Sequence, residues 1–120
     1  MVTIEEIISR VDNVRQNPFG KTQKIAWLSL LDGVIYRELI SQTEGCNATF
    51  SHYTDVHQEL LVDKPFDEMY ILYLFAQIDF YLGETIKYDS DITVFQDYYD
   101  NYSNDYINSH KMIKPPKILW

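Results

Sequence analysis

Basic residues, cysteine, glycine and long apolar runs are all scarce in this 120-residue chain, and each scarcity excludes something. Ten Lys and Arg stand against eighteen Asp and Glu, for a net charge of −8. Gripping a phosphate backbone needs cations that displace counterions, so nucleic-acid binding is not expected. An anionic membrane surface is disfavoured for the same reason. The lone Cys46 excludes an internal disulfide and a cysteine-based zinc site. It fits a reducing, intracellular setting. The longest apolar run, Met69 to Ala76, is far too short to span a bilayer. No basic-then-apolar segment opens the chain, so no secretory leader is expected. With four glycines there is no phosphate-binding loop and no dinucleotide fingerprint. No serine stands in a nucleophile-elbow context.

What is present suits one folded domain. Hydrophobic residues make up 46% and charged residues 23%, both close to globular averages. A chain of this size buries roughly two-thirds of its unfolded surface and needs neither disulfide nor metal to fold. Aromatics are abundant at 15%, with ten Tyr, six Phe and two Trp. The acid is uneven. Residues 1–45 carry 5 basic and 6 acidic groups, whereas residues 46–120 carry 5 and 12.

Periodicity predicts an all-α fold, a bundle of about four helices. Thr3 and Glu6 have capping-box spacing, and Ile4, Ile7, Ile8, Val11 and Val14 share a helical face, so a first helix is expected over 4–15. Asn17-Pro18-Phe19-Gly20 ends it. A second helix over 22–43 is carried by Ile25, Leu28, Leu31, Ile35 and Leu39, with Trp27, Leu30 and Val34 widening the stripe. Gly33 costs about 1 kcal/mol against Ala inside that helix, and suggests close packing with a neighbouring helix. Gly45 supplies a helix end. Residues 44–64 break every period and predict either a long loop or a small hairpin, with Leu60-Leu61-Val62 as a short extended piece. Pro65, Asp67 and Glu68 open a third helix, apolar on nearly all sides and hence central, which ends near Gly83. Helices 2 and 3 are expected to form the core.

The fourth helix carries Tyr88, Ile92, Phe95, Tyr99, Tyr102 and Tyr106 at offsets of 4, 3, 4, 3 and 4, a heptad seam. Its intrinsic propensity is poor, so packing must hold it. Residues 1–110 form the expected single domain. Residues 111–120, with Pro115 and Pro116, are expected to be extended.

Chemistry-bearing patterns are few. His52, Asp55 and His57 cluster in the long loop, but their spacing matches no established metal site and a third strong ligand is missing. Cys46 has no local basic residue to lower its pKa. No catalytic residue, metal or cofactor is assigned, and the chain is not expected to be an enzyme. The aromatic seam has two readings. It packs inside one subunit, or part of it packs on a neighbour, a role that suits tyrosine's apolar body and polar tip. The candidate interface residues are Tyr88, Phe95, Tyr99, Tyr102 and Tyr106, with Phe50 and Tyr53 from the loop. Asp97, Asp100 and Asp105 lie off the seam, as a solvated face or as a surface to which passing DNA does not stick. The C-terminal segment is either untethered or a partner-binding arm, with Lys114, Ile118, Leu119 and Trp120 as its candidate contacts.

The order "TIEEIISRVDNVRQNPFG", "YRELI", a long loop, "ELLVDKPFDEMYILYLFAQIDFYLGE" and "KYDSDITVFQDYYDNY" resembles a family over about residues 2–110. It is similar to the small head–tail connector, adaptor or head-completion proteins of tailed bacteriophages and prophages of low-GC Gram-positive bacteria. The last ten residues lie outside the resemblance. The resemblance implies a helical subunit of a homo-oligomeric ring, commonly of twelve copies, docked on the portal protein. Such a ring extends the DNA channel, lets genomic DNA pass without specific binding, and offers a surface to tail or stopper proteins. It implies a place at the head–tail junction of the virion, after assembly in the host cytoplasm, with no membrane partner. It supplies no catalytic residue. The alternative from the residues alone is a small acidic binding module, a DNA mimic or antitoxin-like protein acting on a basic partner.

Overall fold

Three donors meet the carboxylate of Asp32 in the middle of the molecule, and the elements are arranged around that meeting point. A computed structural model describes residues 1–113. The candidate contacts at Lys114, Ile118, Leu119 and Trp120 lie outside the described residues. The described chain is all-helical, in the order α1 (Ile4–Val14), α2 (Lys21–Glu38), a short 3-10 turn (Ile40–Gln42), α3 (Glu68–Tyr81) and α4 (Thr85–Ser109). Among the described residues there is no strand, only two isolated antiparallel bridges, Thr3 with Glu59 and Thr43 with Met112.

Helix α1 begins at Thr3, whose hydroxyl accepts the Glu6 amide at 3.3 Å. The amides of Ile4 and Glu5, orphaned at any helix start, donate to the carbonyls of Gln58 and Val56 at 3.1 and 2.8 Å. The long loop thus completes the cap. Ile4, Ile7, Ile8 and Val11 are buried, so α1 contributes to the core as fully as α2. Val14, expected on the same face, is 73% exposed, because the helix ends there and Arg15 turns away in an extended conformation.

Helix α2 stops at Glu38, earlier than periodicity predicts. The Ser41 and Thr43 hydroxyls donate back to the Arg37 and Leu39 carbonyls, and the chain tightens into the 3-10 turn. Gly45 (φ 78°) belongs to the turn that follows. Gly33 accommodates a loop residue and not a helix: a Cβ there would lie 3.4 Å from the ring of Phe50.

Residues 44–64 form the long loop and not the hairpin. They are stitched along one stripe of α2. The Ser29 hydroxyl accepts the Tyr53 amide and pairs with His52 Nδ1, the Tyr53 hydroxyl donates to Asp32, and the Tyr36 hydroxyl donates to the Ala48 carbonyl. Positions 29, 32, 33 and 36 follow helical spacing, so one edge of α2 holds the whole excursion. Leu60 and Val62 enter the core. Leu60 runs beside the N-terminus, its amide donating to the Val2 carbonyl at 2.8 Å.

Helix α3 starts at Glu68, after Asp67 as N-cap, and Pro65 precedes it through a cis peptide bond. Pro65 is therefore not its first residue. Met69, Tyr70, Ile71, Tyr73, Leu74, Ala76 and Ile78 are all buried, and α3 touches α1, α2 and α4. It ends at Gly83 (φ 75°), where the Glu84 amide reaches back to the Asp79 carbonyl at 2.9 Å. Helix α4 packs along α3 and makes no close backbone approach to α1 or α2.

Arg15 links the far end of the bundle. Its Nη1 donates to Asp79 at 2.6 Å and Asp91 at 2.7 Å, and its guanidinium lies 4.1 Å over the Phe75 ring. Burial, and then the hydrogen bond with Asp91, push the Asp79 carboxyl up to about 6, against the pull of Arg15.

Two predictions follow from these polar junctions. Asp32→Ala leaves the Tyr70 hydroxyl and Leu61 amide without their acceptor and is expected to cost about 3 kcal/mol in urea unfolding. A loss below about 1 kcal/mol would show that the junction is dispensable. For Asp79, a native pKa above the unfolded one favours the fold most at low pH. That contribution is lost as pH rises through about 6. The wild-type urea midpoint should therefore fall relative to Asp79→Asn between pH 4 and 7 (roughly the span of the shift), and a constant difference would contradict the assignment.

Candidate functional site

Because α2 and α4 both rest on α3 without their backbones approaching each other, a groove opens between them. Leu30, Leu31, Val34 and Glu38 of α2 form one wall, Phe95 and Tyr99 of α4 the other, and Tyr73 of α3 the floor. The cavity holds about 370 Å³ and is almost wholly apolar in lining. Its polar feature is at one end, where the Tyr99 hydroxyl donates to Glu38 Oε2 at 2.8 Å. Burial and the adjoining Glu38 carboxylate raise the Tyr99 pKa, so that phenol stays protonated and keeps donating. Leu30 is 58% exposed. An apolar trough edged by an exposed leucine suits an apolar partner segment, and nothing in it is placed for bond-making chemistry.

The seam of α4 divides. Phe95 and Tyr102 are each 9% exposed and belong to the core, with Phe95 on Tyr73 and Tyr102 on Phe66. Burial pushes the Tyr102 hydroxyl up to about 12. Only the groove-side edge of Phe95 is presented outward. Tyr99 and Tyr106 are half-buried, the latter within 2.6 Å of the Thr43 hydroxyl and stacked on His110. Tyr88 is half-buried at the α3–α4 corner beside Phe80. That corner is itself apolar and exposed, at Phe80, Leu82 and Ile86. Phe50 and Tyr53 pack on each other on the other side of α2, and Phe50 stacks on Tyr36. They are brought together with the loop, away from the α4 seam.

Asp97, Asp100 and Asp105 are all exposed along the outer face of α4. No Lys or Arg occurs between Tyr88 and His110, so this face carries no compensating cation of its own. The loop histidines separate: His52 pairs with Ser29 and His57 Nδ1 lies 3.2 Å from Glu5. Among the described residues, no three His, Cys, Asp or Glu side chains group as metal ligands. No helix there is long and apolar enough to cross a membrane.

Leu30, Leu31, Val34, Glu38 and Tyr73 are the groove residues that sequence reading did not place among the interface candidates. The available signal was breadth. Leu30 and Val34 widen the α2 stripe beyond what one helical neighbour can cover, and the uncovered margin is the groove wall. No protein-family model matches the chain, and neither a curated protein nor a solved structure matches it.

The two walls should respond differently to substitution. Phe95→Ala is expected to cost about 3 kcal/mol, as for a buried aromatic, whereas Leu30→Asp should leave stability within about 0.5 kcal/mol. Thermal and urea unfolding of both variants check this. A large loss from Leu30→Asp would mean the groove wall is part of the core.

Proposed function

We propose that this chain is a structural subunit of the head–tail junction of a tailed bacteriophage. It would form a homo-oligomeric connector ring that docks on the portal protein, extends the DNA channel and offers a surface to tail or stopper proteins. The role is mechanical and calls for no catalytic residue or cofactor. The reading draws on the resemblance over about residues 2–110 and on one structural observation. Helix α4 has two unlike faces, with the apolar groove on one side and a cation-free row of Asp97, Asp100 and Asp105 on the other.

A ring subunit needs both properties. Its flank must adhere to a copy of itself, through heterologous contacts that close by rotation. Its channel surface must not adhere to DNA, and an uncompensated acidic face repels a polyanion. The groove and the exposed Phe80, Leu82 and Ile86 corner supply apolar surface for the first need. The outer face of α4 supplies the second.

Light scattering of the purified protein, alone and mixed with a portal protein from the same genome, tests the proposal. A large closed oligomer, or a stoichiometric complex with the portal ring, is the expected result. Leu30→Asp is expected to weaken that assembly at least about tenfold, a cost of roughly 1.4 kcal/mol. A monomer that ignores the portal would overturn the reading and favour a small acidic module directed at a basic partner.

A further inference from the structure

Among the described residues, two apolar surfaces stay uncovered, and they differ in shape. One is concave, the trough between α2 and α4. The other is convex, the corner where α3 turns into α4, with Phe80, Leu82 and Ile86 exposed. Ile86, the second residue of α4, is 86% exposed. Three large apolar side chains grouped at one exposed turn mark a contact surface.

The corner is firmly built. Gly83 makes the turn with φ 75°, and the Glu84 amide reaches back to the Asp79 carbonyl. Just behind it, Arg15 holds Asp79 of α3 and Asp91 of α4 through one nitrogen. Phe80 is braced against Tyr81 and Tyr88. A knob ordered before binding loses little conformational entropy on docking. The corner does not reach the groove of its own chain. Tyr81 lies about 12 Å along α3 from Tyr73 on the groove floor, and Ile86 about 14 Å along α4 from Phe95 on the wall.

We propose, resting on the connector reading for the premise that copies of this chain adhere to one another, that the α3–α4 corner of one copy seats in the α2–α4 groove of the next. Leu82 and Ile86 enter the trough, Phe80 sits at its lip, and Lys87 meets the Glu38 end. Size supports this. A dry cavity of about 150 Å³ takes one benzene ring, so a trough of about 370 Å³ takes roughly two side chains of that size. Charge supports it as well. Lys87 is exposed, follows Ile86 directly, and is the only Lys or Arg between Pro65 and His110. Glu38 is the one charged side chain among the described residues that line the groove. An opposite pair at the rim sets the register of docking more than it adds affinity. Corner and groove are different patches, so the contact is heterologous: each copy gives its corner to one neighbour and receives a corner from another.

Disulfide trapping between two variant chains tests the seat. In a Cys46→Ser background, an Ile86→Cys chain is mixed with a Leu30→Cys chain under mild oxidation. Both positions are exposed, so neither change disturbs the core. The control mixes Asp100→Cys, on the outer face of α4, with Leu30→Cys. The Ile86–Leu30 heterodimer should form at least about tenfold faster than the control heterodimer. A rate no faster than the control would overturn the proposal. So would a Leu30→Cys homodimer that forms faster than the heterodimer, which would assign the groove to a symmetric contact.

A second measurement reads the direction of the contact. Ile86→Asp and Leu30→Asp alone should each weaken self-association at least about tenfold, by removing one apolar anchor. Their equimolar mixture still holds one intact corner and one intact groove. Light scattering should therefore show pairing restored and stopped at a 1:1 dimer, and a mixture that recovers no pairing would overturn the seat. Wild-type rings or portal complexes found together with that failure leave the connector reading standing. Selective Ile86–Leu30 closure in a chain that forms no ring and ignores the portal upholds the seat and overturns the connector reading.

Discussion

A carboxylate removed from water must be supplied with donors, and Asp32 is fully buried. It receives the Tyr53 hydroxyl and Leu61 amide at Oδ2 and the Tyr70 hydroxyl at Oδ1. Desolvation raises its pKa, and these three hydrogen bonds oppose the rise. Each charge-assisted bond contributes about 1.5–3 kcal/mol, so three together are of the size needed to offset several kcal/mol of desolvation. The consequence is architectural. Two donors come from the long loop, Tyr53 at its middle and Leu61 near its end, and one from α3, so the carboxylate can be satisfied only if the loop lies on α2 and α3 lies beneath both. The Tyr70 hydroxyl extends the chain by accepting the Val62 amide at 2.9 Å.

That junction explains why α3 is central and why a groove exists. With the loop covering one flank of α2 and α1 capped by loop carbonyls, α3 is enclosed on three sides and needs an apolar surface all round, which its sequence has. Helix α4 then has one place to lie, along the remaining side of α3. It is held there by Tyr73–Phe95 and Phe66–Tyr102 contacts and, at its start, by Asp91 on Arg15. Helices α2 and α4 flank the same helix without their backbones approaching, and touch where Tyr99 reaches Glu38. The trough between them is the space left by that arrangement.

The helices were legible because each has its own periodic signal: the isoleucines of α1, the enclosed run Met69 to Ala76, and the aromatic offsets of α4. The loop was not legible. Its order comes from single side chains on another element, Ser29, Asp32 and Tyr36, and a polar residue inside a helix stripe does not announce its partner in sequence. The α2 end misled for a related reason. Leu39 continues the apolar spacing, but the Ser41 and Thr43 hydroxyls compete for the backbone carbonyls and end the helix. The groove was half legible. Phe95 and Tyr99 stood out as aromatics, whereas Leu30 and Val34 read as ordinary core until α4 was seen to lie on α3 alone.

The same asymmetry gives α4 its character. A 25-residue helix with many Asp, Asn and Tyr has little intrinsic reason to form. Aromatics every three or four residues let it persist, because their rings are large enough to hold it against a single neighbour. A helix supported from one side only leaves its other faces free to differ. The groove edge is apolar, the outer face is acidic, and the two are set by residues one or two positions apart, such as Phe95 and Asp97 or Tyr99 and Asp100. A one-residue forward shift of the seam would put Gln96 in place of Phe95 against Tyr73, put Asp100 in place of Tyr99, and turn aromatic rings into water. The register that keeps α4 folded is therefore the same register that separates its apolar edge from its acidic face.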